Sequence, residues 1–191
     1  NHTANDTQAD GLTHSSIWCI VKDNQGTLWL GTYFGGVNYF NPEYEIYTRY
    51  SYSSNEKKGL SNPVVGRTIE DKDGNLWIGT EGGGLNYYNR RTREFKWYRP
   101  QEGRNSISHN NVKALYYDAD KEIIWIGTHL GGLNKLDIRS GHFTHYRMEE
   151  GNPNTLPSDI IRDIIPYKSL LIIATQNGVC LFDPANGQCQ Q

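Results

Sequence analysis

The hydrophobic and polar positions along the chain alternate in short runs, and this alternation recurs in four similar copies. The opening runs read IWCIVKD from Ile17, VGRTIED from Val65, VKALYYD from Val112 and IIRDIIP from Ile160. A short polar turn follows each of the first three runs. A glycine in such a turn, between two alternating runs, is typical of a β-hairpin because Gly accepts positive φ. The pattern therefore predicts a strand, a tight turn and a second strand in each copy.

The second predicted strand carries the most regular part of the repeat. Its glycine falls at Gly31, Gly79 and Gly127, at a constant interval of 48 residues, and a fainter fourth copy has Ala174 in the same place. A fixed period of this length indicates one supersecondary unit stacked on its own copies, because so small a unit cannot bury its apolar faces alone.

Each copy continues into a Gly-rich turn, a third strand such as GLNYYN and a fourth, aromatic strand. The aromatic strands cover residues 47–50, 95–98 and 143–146. Four short antiparallel strands at this period predict an all-β fold of β-propeller blades. We place the blades at residues 11–58, 59–105, 106–154 and 155–191, after a polar N-terminal segment at residues 1–10. The last blade is expected to lack most of its fourth strand, because Cys189 aligns with Phe95 and Phe143.

The repeated tryptophans and glycine pairs are interpreted as packing and turn positions. Trp29, Trp77 and Trp125 occupy one equivalent position, and Ile172 replaces them in the last copy, which favours packing between sheets over stacking on sugars. The glycine pairs that begin at Gly35, Gly83 and Gly131 are not followed by the Lys-Ser/Thr of a phosphate loop.

Composition limits the partners. The chain has 191 residues, 36% of them apolar, and a formal net charge of −2, without the clustered Lys and Arg of a nucleic-acid surface. No apolar run approaches the roughly 20 residues of a membrane span, and the first ten residues lack the pattern of a signal peptide. We therefore expect no nucleic-acid partner and no direct membrane contact in this segment.

Cofactor and metal chemistry is not predicted. The six His are scattered, and His142 and His145 have no carboxylate or Cys at metal-ligand spacing. Cys180 and Cys189 flank a predicted hairpin whose register sets Cys189 beside Phe182. This register favours free thiols, although the sequence leaves a disulfide open, and together with Cys19 the count is odd.

The stretch EDKDGNLWIGTEGGGLNYYN, with its in-register copies, resembles the two-component regulator propeller repeat. The resemblance covers about residues 11 to 187. It implies the periplasmic sensor region of a hybrid two-component system receptor, in a family whose repeats build seven-bladed propellers. It further implies sensing of carbohydrate breakdown products and signalling through a membrane helix to kinase, receiver and DNA-binding modules. None of those modules is recognisable in this sequence.

The candidate ligand site lies in the loops between the second and third strands. Their glycines are constant between copies while other residues vary, and variable side chains on a repeated frame are where specificity can reside. These residues are Tyr33, Phe34, Glu81, His129, Gln176 and Asn177. An oligosaccharide is the expected ligand, with the aromatic pair as platform and the polar residues as hydrogen-bonding groups.

Two other functions stay open. A protein–protein interaction module would use the same loops or the blade edges. A glycosidase or polysaccharide lyase is disfavoured, because Asn24 and Lys72 stand where the Asp-box of sialidases has its Asp, so no catalytic residue is assigned. Exposed blade faces also predict self-association, for instance two chains in an eight-bladed ring, with a closed four-bladed monomer as the alternative.

Overall fold

The structure, a computed structural model, describes residues 11–43 and 46–190, without the side chains of residues 46 and 47. The predicted polar segment at residues 1–10 lies outside the described residues, as does Gln191. The described chain falls into two compact units, one ending at Tyr98 and the other beginning at Arg99.

The first unit contains two four-stranded antiparallel sheets. In sheet 1 the strands are β1 Ile17–Lys22, β2 Leu28–Thr32, β3 Val37–Asn41 and β4 Ile46–Tyr50; in sheet 2 they are β5 Val65–Glu70, β6 Leu76–Thr80, β7 Gly84–Asn89 and β8 Glu94–Tyr98. Each sheet runs in chain order, every strand pairing with the next. A short 3-10 helix, Glu56–Lys58, precedes sheet 2.

The second unit repeats the arrangement. In sheet 3 the strands are β9 Val112–Asp118, β10 Ile123–Thr128, β11 Leu133–Asp137 and β12 His142–Tyr146; in sheet 4 they are β13 Ile161–Tyr167, β14 Leu170–Thr175, β15 Gly178–Phe182 and β16 Cys189–Gln190. The four sheets confirm the predicted all-β class. The described part of the chain contains no α-helix. The blade boundaries stay a prediction, but the fourth strand of sheet 4 is short, as expected.

Aspartates close the first hairpin of sheets 1 and 2. The Asp23 carboxylate accepts hydrogen bonds from the backbone N–H groups of Gln25 (2.9 Å) and Thr27 (2.8 Å) and from Trp29 Nε1 (2.8 Å). In sheet 2, Asp71 accepts from Trp77 Nε1 at 3.1 Å. The same residue type therefore satisfies the backbone of the turn and fixes the indole of the following strand.

The repeated tryptophans are core residues, as predicted. Trp29 and Trp77 are each 2% exposed and Trp125 is 1% exposed. Packing between sheets also explains two of the regularly spaced glycines, Gly31 and Gly127. A Cβ added at Gly31 would lie 2.7 Å from Val65 Cγ1 in sheet 2, and one at Gly127 would lie 2.4 Å from Ile161 Cγ2 in sheet 4. Neighbouring sheets within each unit approach too closely there for a larger side chain.

The three cysteines are free thiols. Cys189 lies opposite Phe182, which confirms the predicted register. Cys180 and Cys189 are both 2% exposed, and the Cys180 thiol donates to the Cys189 sulfur across 3.1 Å. This contact lowers the pKa of Cys180 and raises that of Cys189.

Candidate functional site

The loop between the second and third strands is anchored in the same way in all four sheets. The first residue of each loop donates its backbone N–H to the carbonyl of the residue just before the first strand. The bonds are Tyr33 to Ser16 (3.1 Å), Glu81 to Val64 (3.0 Å), His129 to Asn111 (2.9 Å) and Gln176 to Ile160 (2.9 Å). The four predicted loop positions are therefore structurally equivalent.

Next to each loop, the first strand contains a β-bulge. The pairing register shifts between Ile17 and Cys19, between Val65 and Arg67, and between Ile161 and Asp163, and sheet 3 has the matching shift beside Thr128. The extra residues that these register shifts introduce into the first strands are Trp18, Gly66, Lys113 and Arg162. Because a bulge re-aims its side chain, this position is a second variable site on the repeated frame.

In sheet 1 the bulge and the loop together form an exposed aromatic cluster. The ring centroids of Trp18 and Tyr33 are 4.8 Å apart, and those of Tyr33 and Phe34 are 4.7 Å apart at an interplanar angle of 85°. His14 packs edge-on against Tyr33 at 6.1 Å. Trp18, Tyr33 and Phe34 are 43%, 40% and 57% exposed. We call Trp18, Tyr33 and Phe34 the aromatic platform.

In sheet 3 the loop is surrounded by basic groups. Arg147 donates to the Leu130 carbonyl (2.9 Å) and to the Asp159 carboxylate (3.2 Å). Burial lowers the pKa of His109, and the neighbouring His129 and Arg147 lower it further. The buried Nδ1 of His129 has no hydrogen-bond partner. The loop of sheet 3 therefore has imidazole and guanidinium groups beside it.

In sheet 4 the bulge residue again meets the loop. Arg162 hydrogen-bonds to the side-chain oxygen of Gln176, as Trp18 meets Tyr33 in sheet 1. Asn177 donates its side-chain N–H to the Pro157 carbonyl at 3.4 Å. In sheet 2, Glu81 is half-buried at the start of its loop. Arg162 and Gln176 in sheet 4 lie at the positions that Trp18 and Tyr33 occupy in sheet 1. Glu81 in sheet 2 also lies at the position of Tyr33.

The structure brings together Tyr33 with Phe34, and separately places Gln176 next to Asn177. The sequence interpretation missed Trp18, His14 and Arg162. A signal for two of them was present, because aligning the first strands puts Trp18 and Arg162 at the position of Gly66. Because sheet 2 has Gly66 at the position of Trp18, the packing shared by the sheets does not require an aromatic residue there.

The described residues contain neither a cluster of metal ligands nor a helix that could span a membrane. Among residues 11–43 and 46–190, no three His, Cys, Asp or Glu side chains are grouped so that they could hold a metal ion. Over the same residues, no helix has both the length and the apolar character needed to cross a membrane.

Similarity to solved structures supports the repeat interpretation. The chain matches the extracellular domain of BT3049, described as a hybrid two-component system from B. thetaiotaomicron, with a TM-score of 0.79 and 26% identity over 92% of this chain and 24% of that one. The extracellular domain of BT4673 from the same organism gives 0.74 and 24% identity, over 93% of this chain and 22% of that one. This chain therefore spans about a quarter of the length of these proteins.

A third structure shows only the fold. PorZ, a surface component of the type-IX secretion system of Porphyromonas gingivalis, matches with a TM-score of 0.70 and 18% identity, over 98% of this chain and 29% of that one. No curated protein matches the chain significantly.

The sequence profile of the family named Two component regulator propeller matches three segments, residues 11–34, 59–82 and 106–129. Each segment runs from just before the first strand to the loop that follows the second strand in sheets 1, 2 and 3. The matched segments thus contain the Trp, the packed Gly and the first loop residues already described. Sheets 1, 2 and 3 therefore each contain a segment that matches the two-component regulator propeller repeat, and the four similar sheets are β-propeller blades.

Proposed function

We propose that this chain is a non-catalytic, extracytoplasmic ligand-sensing region of a two-component signalling receptor, and that it recognises a saccharide. The observation that carries the proposal is the aromatic platform. It exposes three rings at a bulge and a loop whose backbone is fixed by the Tyr33–Ser16 hydrogen bond. The proposal is further supported by similarity to the solved structures of BT3049 and BT4673, which are extracellular domains of signalling systems.

The chemistry of the loops suits a sugar. Saccharides present apolar C–H faces together with many hydroxyl groups, so a site needs an aromatic surface and a few fixed polar groups. Trp18 and Tyr33 offer the surface. Glu81 offers a hydrogen-bond acceptor at the equivalent loop position of sheet 2 in the same unit, and His129, Gln176 and Asn177 offer donors and acceptors in the corresponding loops of the second unit.

The Asp-box positions have a structural explanation that does not need catalysis. The aspartates nearest that motif, Asp23 and Asp71, are engaged with the turn backbone and the Trp indoles. A carboxylate whose lone pairs accept several N–H groups is a poor general base. This supports a binding function over a hydrolytic one.

Isothermal titration calorimetry of neutral and acidic oligosaccharides against this chain tests the proposal. Removing one ring of the platform, in Trp18→Ala or Tyr33→Ala, is expected to weaken saccharide binding about 2- to 10-fold. Tyr52, which is 57% exposed elsewhere in the same unit, provides the matched control Tyr52→Ala. Unchanged affinity in both platform variants, or an equal loss in the control, would place the site elsewhere.

A protein partner is the second candidate function. Exposed apolar side chains accompany the loops, with Leu130 56% and Val179 59% exposed. Such residues contribute to protein interfaces when they form a patch. A docking partner predicts binding that is insensitive to added saccharide and is lost in Leu130→Asp.

Self-association through blade faces stays a prediction. Multi-angle light scattering over a wide range of protein concentration tests it directly. A mass that stays at the monomer value of 21.8 kDa throughout would exclude the two-chain ring.

A further inference from the structure

A cavity of about 280 Å³ opens between sheets 1 and 2 of the first unit, away from the aromatic platform. Residues of the β1–β2 turn and the β7–β8 turn line it, and these turns lie at the end of the strands opposite to the β2–β3 loop. The side chains that line it include Trp29, Tyr39, Tyr50, Tyr88, Arg90 and Arg93. We call this cavity the Arg93 cleft.

Aromatic rings form the walls of the Arg93 cleft. Trp29 packs edge-on against Tyr39, with ring centroids 4.7 Å apart, and stacks nearly parallel to Tyr50 at 5.9 Å. The hydroxyl groups of Tyr50 and Tyr88 are 2.7 Å apart in a hydrogen bond. Because this bond orients both phenol rings, the wall is formed before any ligand arrives.

The two arginines of the cleft have different surroundings. Arg90 donates to Asp23 at 2.9 Å and to Glu70 at 3.4 Å, and its guanidinium lies over the Trp29 ring at 5.4 Å. Its charge is therefore largely compensated by two carboxylates. Arg93 is exposed at the cleft. Burial and the Tyr88 hydrogen bond raise the pKa of Tyr50, and the positive charge of nearby Arg93 opposes that rise.

The backbone of Arg93 gives independent evidence for a role. Its φ is 58°, in the left-handed region that disfavours residues with a Cβ. In sheets 3 and 4 the equivalent residues are Gly141 (φ 70°) and Gly187 (φ 76°). All three turns have the same bond, at 2.8 Å, from this residue's N–H to the carbonyl four residues earlier. The fold thus favours Gly here, and among the turns of sheets 2, 3 and 4 only that of sheet 2 has a cation at this position.

The equivalent cleft between sheets 3 and 4 lacks these features. It has a volume of about 400 Å³, and Lys135 stands where Tyr39 stands in sheet 1. Pro184 takes the place of Arg90, and among its described lining residues Trp125 is the only aromatic. The combination of aromatic wall and strained arginine is therefore particular to the first unit.

We propose that the Arg93 cleft binds a sugar ring that carries a negative charge, either a carboxylate or a sulfate. Tyr39 and Tyr50 would contact the apolar face of the ring, and Arg93 would donate charge-assisted hydrogen bonds to the anion. A strained residue at a cleft is a reason to look for function, since selection for folding alone favours Gly. This site is separate from the aromatic platform and does not depend on the function proposed for it.

A substitution in the β7–β8 turn gives the most specific test of binding in the cleft. Arg93→Gly removes the cation and installs the residue that the turns of sheets 3 and 4 already use, so it is expected to fold at least as stably as the parent chain. The matched control is Arg91→Ala, which removes the same charge from the same turn at an exposed residue that does not line the cleft. Thermal unfolding of both variants verifies that the fold is intact.

The binding experiment uses ligand-observed NMR of this chain with galacturonic acid, galactose 6-sulfate and galactose. Binding of an acidic sugar that weakens about 10-fold or more in Arg93→Gly and is retained in Arg91→Ala supports the proposal, and the two acidic probes distinguish carboxylate from sulfate. Equal binding of galactose, no binding of either acidic sugar, or full retention in Arg93→Gly would overturn it. Tyr33→Ala should leave this binding unchanged, which separates the cleft from the aromatic platform.

Discussion

The packing between sheets 1 and 2 and that between sheets 3 and 4 use the same aromatic trio with different polar neighbours. In the first unit Trp29 lies 5.9 Å from Tyr50 and 6.0 Å from Tyr88. In the second unit Trp125 lies 6.0 Å from Tyr146 and 5.4 Å from Phe182. Tyr50 with Tyr88 and Tyr146 with Phe182 are 4.9 Å and 4.8 Å apart. The distances between the rings are thus similar in the two units.

The neighbours of the trio differ in charge and hydrogen bonding. In the first unit Tyr88 bonds to Tyr50, and Arg90 joins sheet 2 to Asp23 of sheet 1. In the second unit Phe182 has no hydroxyl and Pro184 has no charge, while buried Cys180 and Cys189 pack in the core around Phe182. Rings and close-packed glycines therefore define the frame that the two units share, whereas the polar residues around it differ between the units.

The largest expected effect concerns the shared part of the frame. Trp29→Ala and Trp125→Ala should each lower the free energy of unfolding by about 3 to 5 kcal/mol, because each empties the centre of an equivalent aromatic trio. Urea denaturation followed by circular dichroism measures both. A loss in one unit that is less than half of that in the other would contradict the equivalence of the two interfaces.

The next effect should distinguish the units. Asp23→Asn removes the charge that compensates Arg90 and places an N–H group near Trp29 Nε1, so we expect a loss of about 2 to 3 kcal/mol. The matched change is Asp118→Asn, at the equivalent turn of sheet 3, where the carboxylate accepts from Lys121 N at 3.2 Å. Its expected cost is under about 1 kcal/mol. Equal losses in the two denaturation curves would remove the distinction.

The same carboxylate predicts a pH-dependent contribution to stability that Asp23→Asn removes. Burial alone would raise the pKa of Asp23, but hydrogen bonds from Trp29 and Thr27 and the charge of Arg90 outweigh it and hold the pKa below its ordinary value of 3.8. A depressed pKa means that this stabilisation is present above about pH 4 and is lost as the pH falls further. The stability difference between the parent chain and Asp23→Asn should therefore shrink below pH 4. A difference that is constant down to pH 2 would contradict the assignment.

The smallest effect concerns one hydroxyl group. Tyr88→Phe makes the trio of the first unit resemble that of the second and leaves Tyr50 without its partner. Because Tyr50 is half-buried, the expected loss is about 1 kcal/mol, measured as the shift of the urea midpoint. Tyr39→Phe, at a half-buried phenol in the same unit, is the control for loss of a hydroxyl. A shift in Tyr88→Phe no larger than in the control would show that the bond is unimportant.

The frame could be predicted from the sequence because it repeats. Gly31 and Gly127, at matching positions of the repeat, lie where neighbouring sheets approach closely, and the register that sets Cys189 opposite Phe182 follows from the hairpin pattern. The first residues of the four predicted loops are structurally equivalent, because each donates the same backbone hydrogen bond. These residues are Tyr33, Glu81, His129 and Gln176.

The binding features escaped prediction because they depart from the repeat. Trp18 reaches the aromatic platform only through a β-bulge, which one sequence does not reveal. Arg93 adopts the conformation of Gly141 and Gly187, so its strain becomes visible only when the turns are compared. Asp23 and Asp71 lie next to the Asp-box positions in sequence, and the structure engages them in the hairpin.

Saccharide recognition by the aromatic platform is the central claim, and a glycan array probed with the parent chain, Trp18→Ala and Tyr52→Ala tests it most directly. We predict that the parent chain and Tyr52→Ala bind the same subset of glycans and that Trp18→Ala loses most of that signal, because Trp18 is the largest exposed ring of the platform. An array on which the parent chain binds no glycan, or on which Trp18→Ala binds as the parent does, would contradict the account.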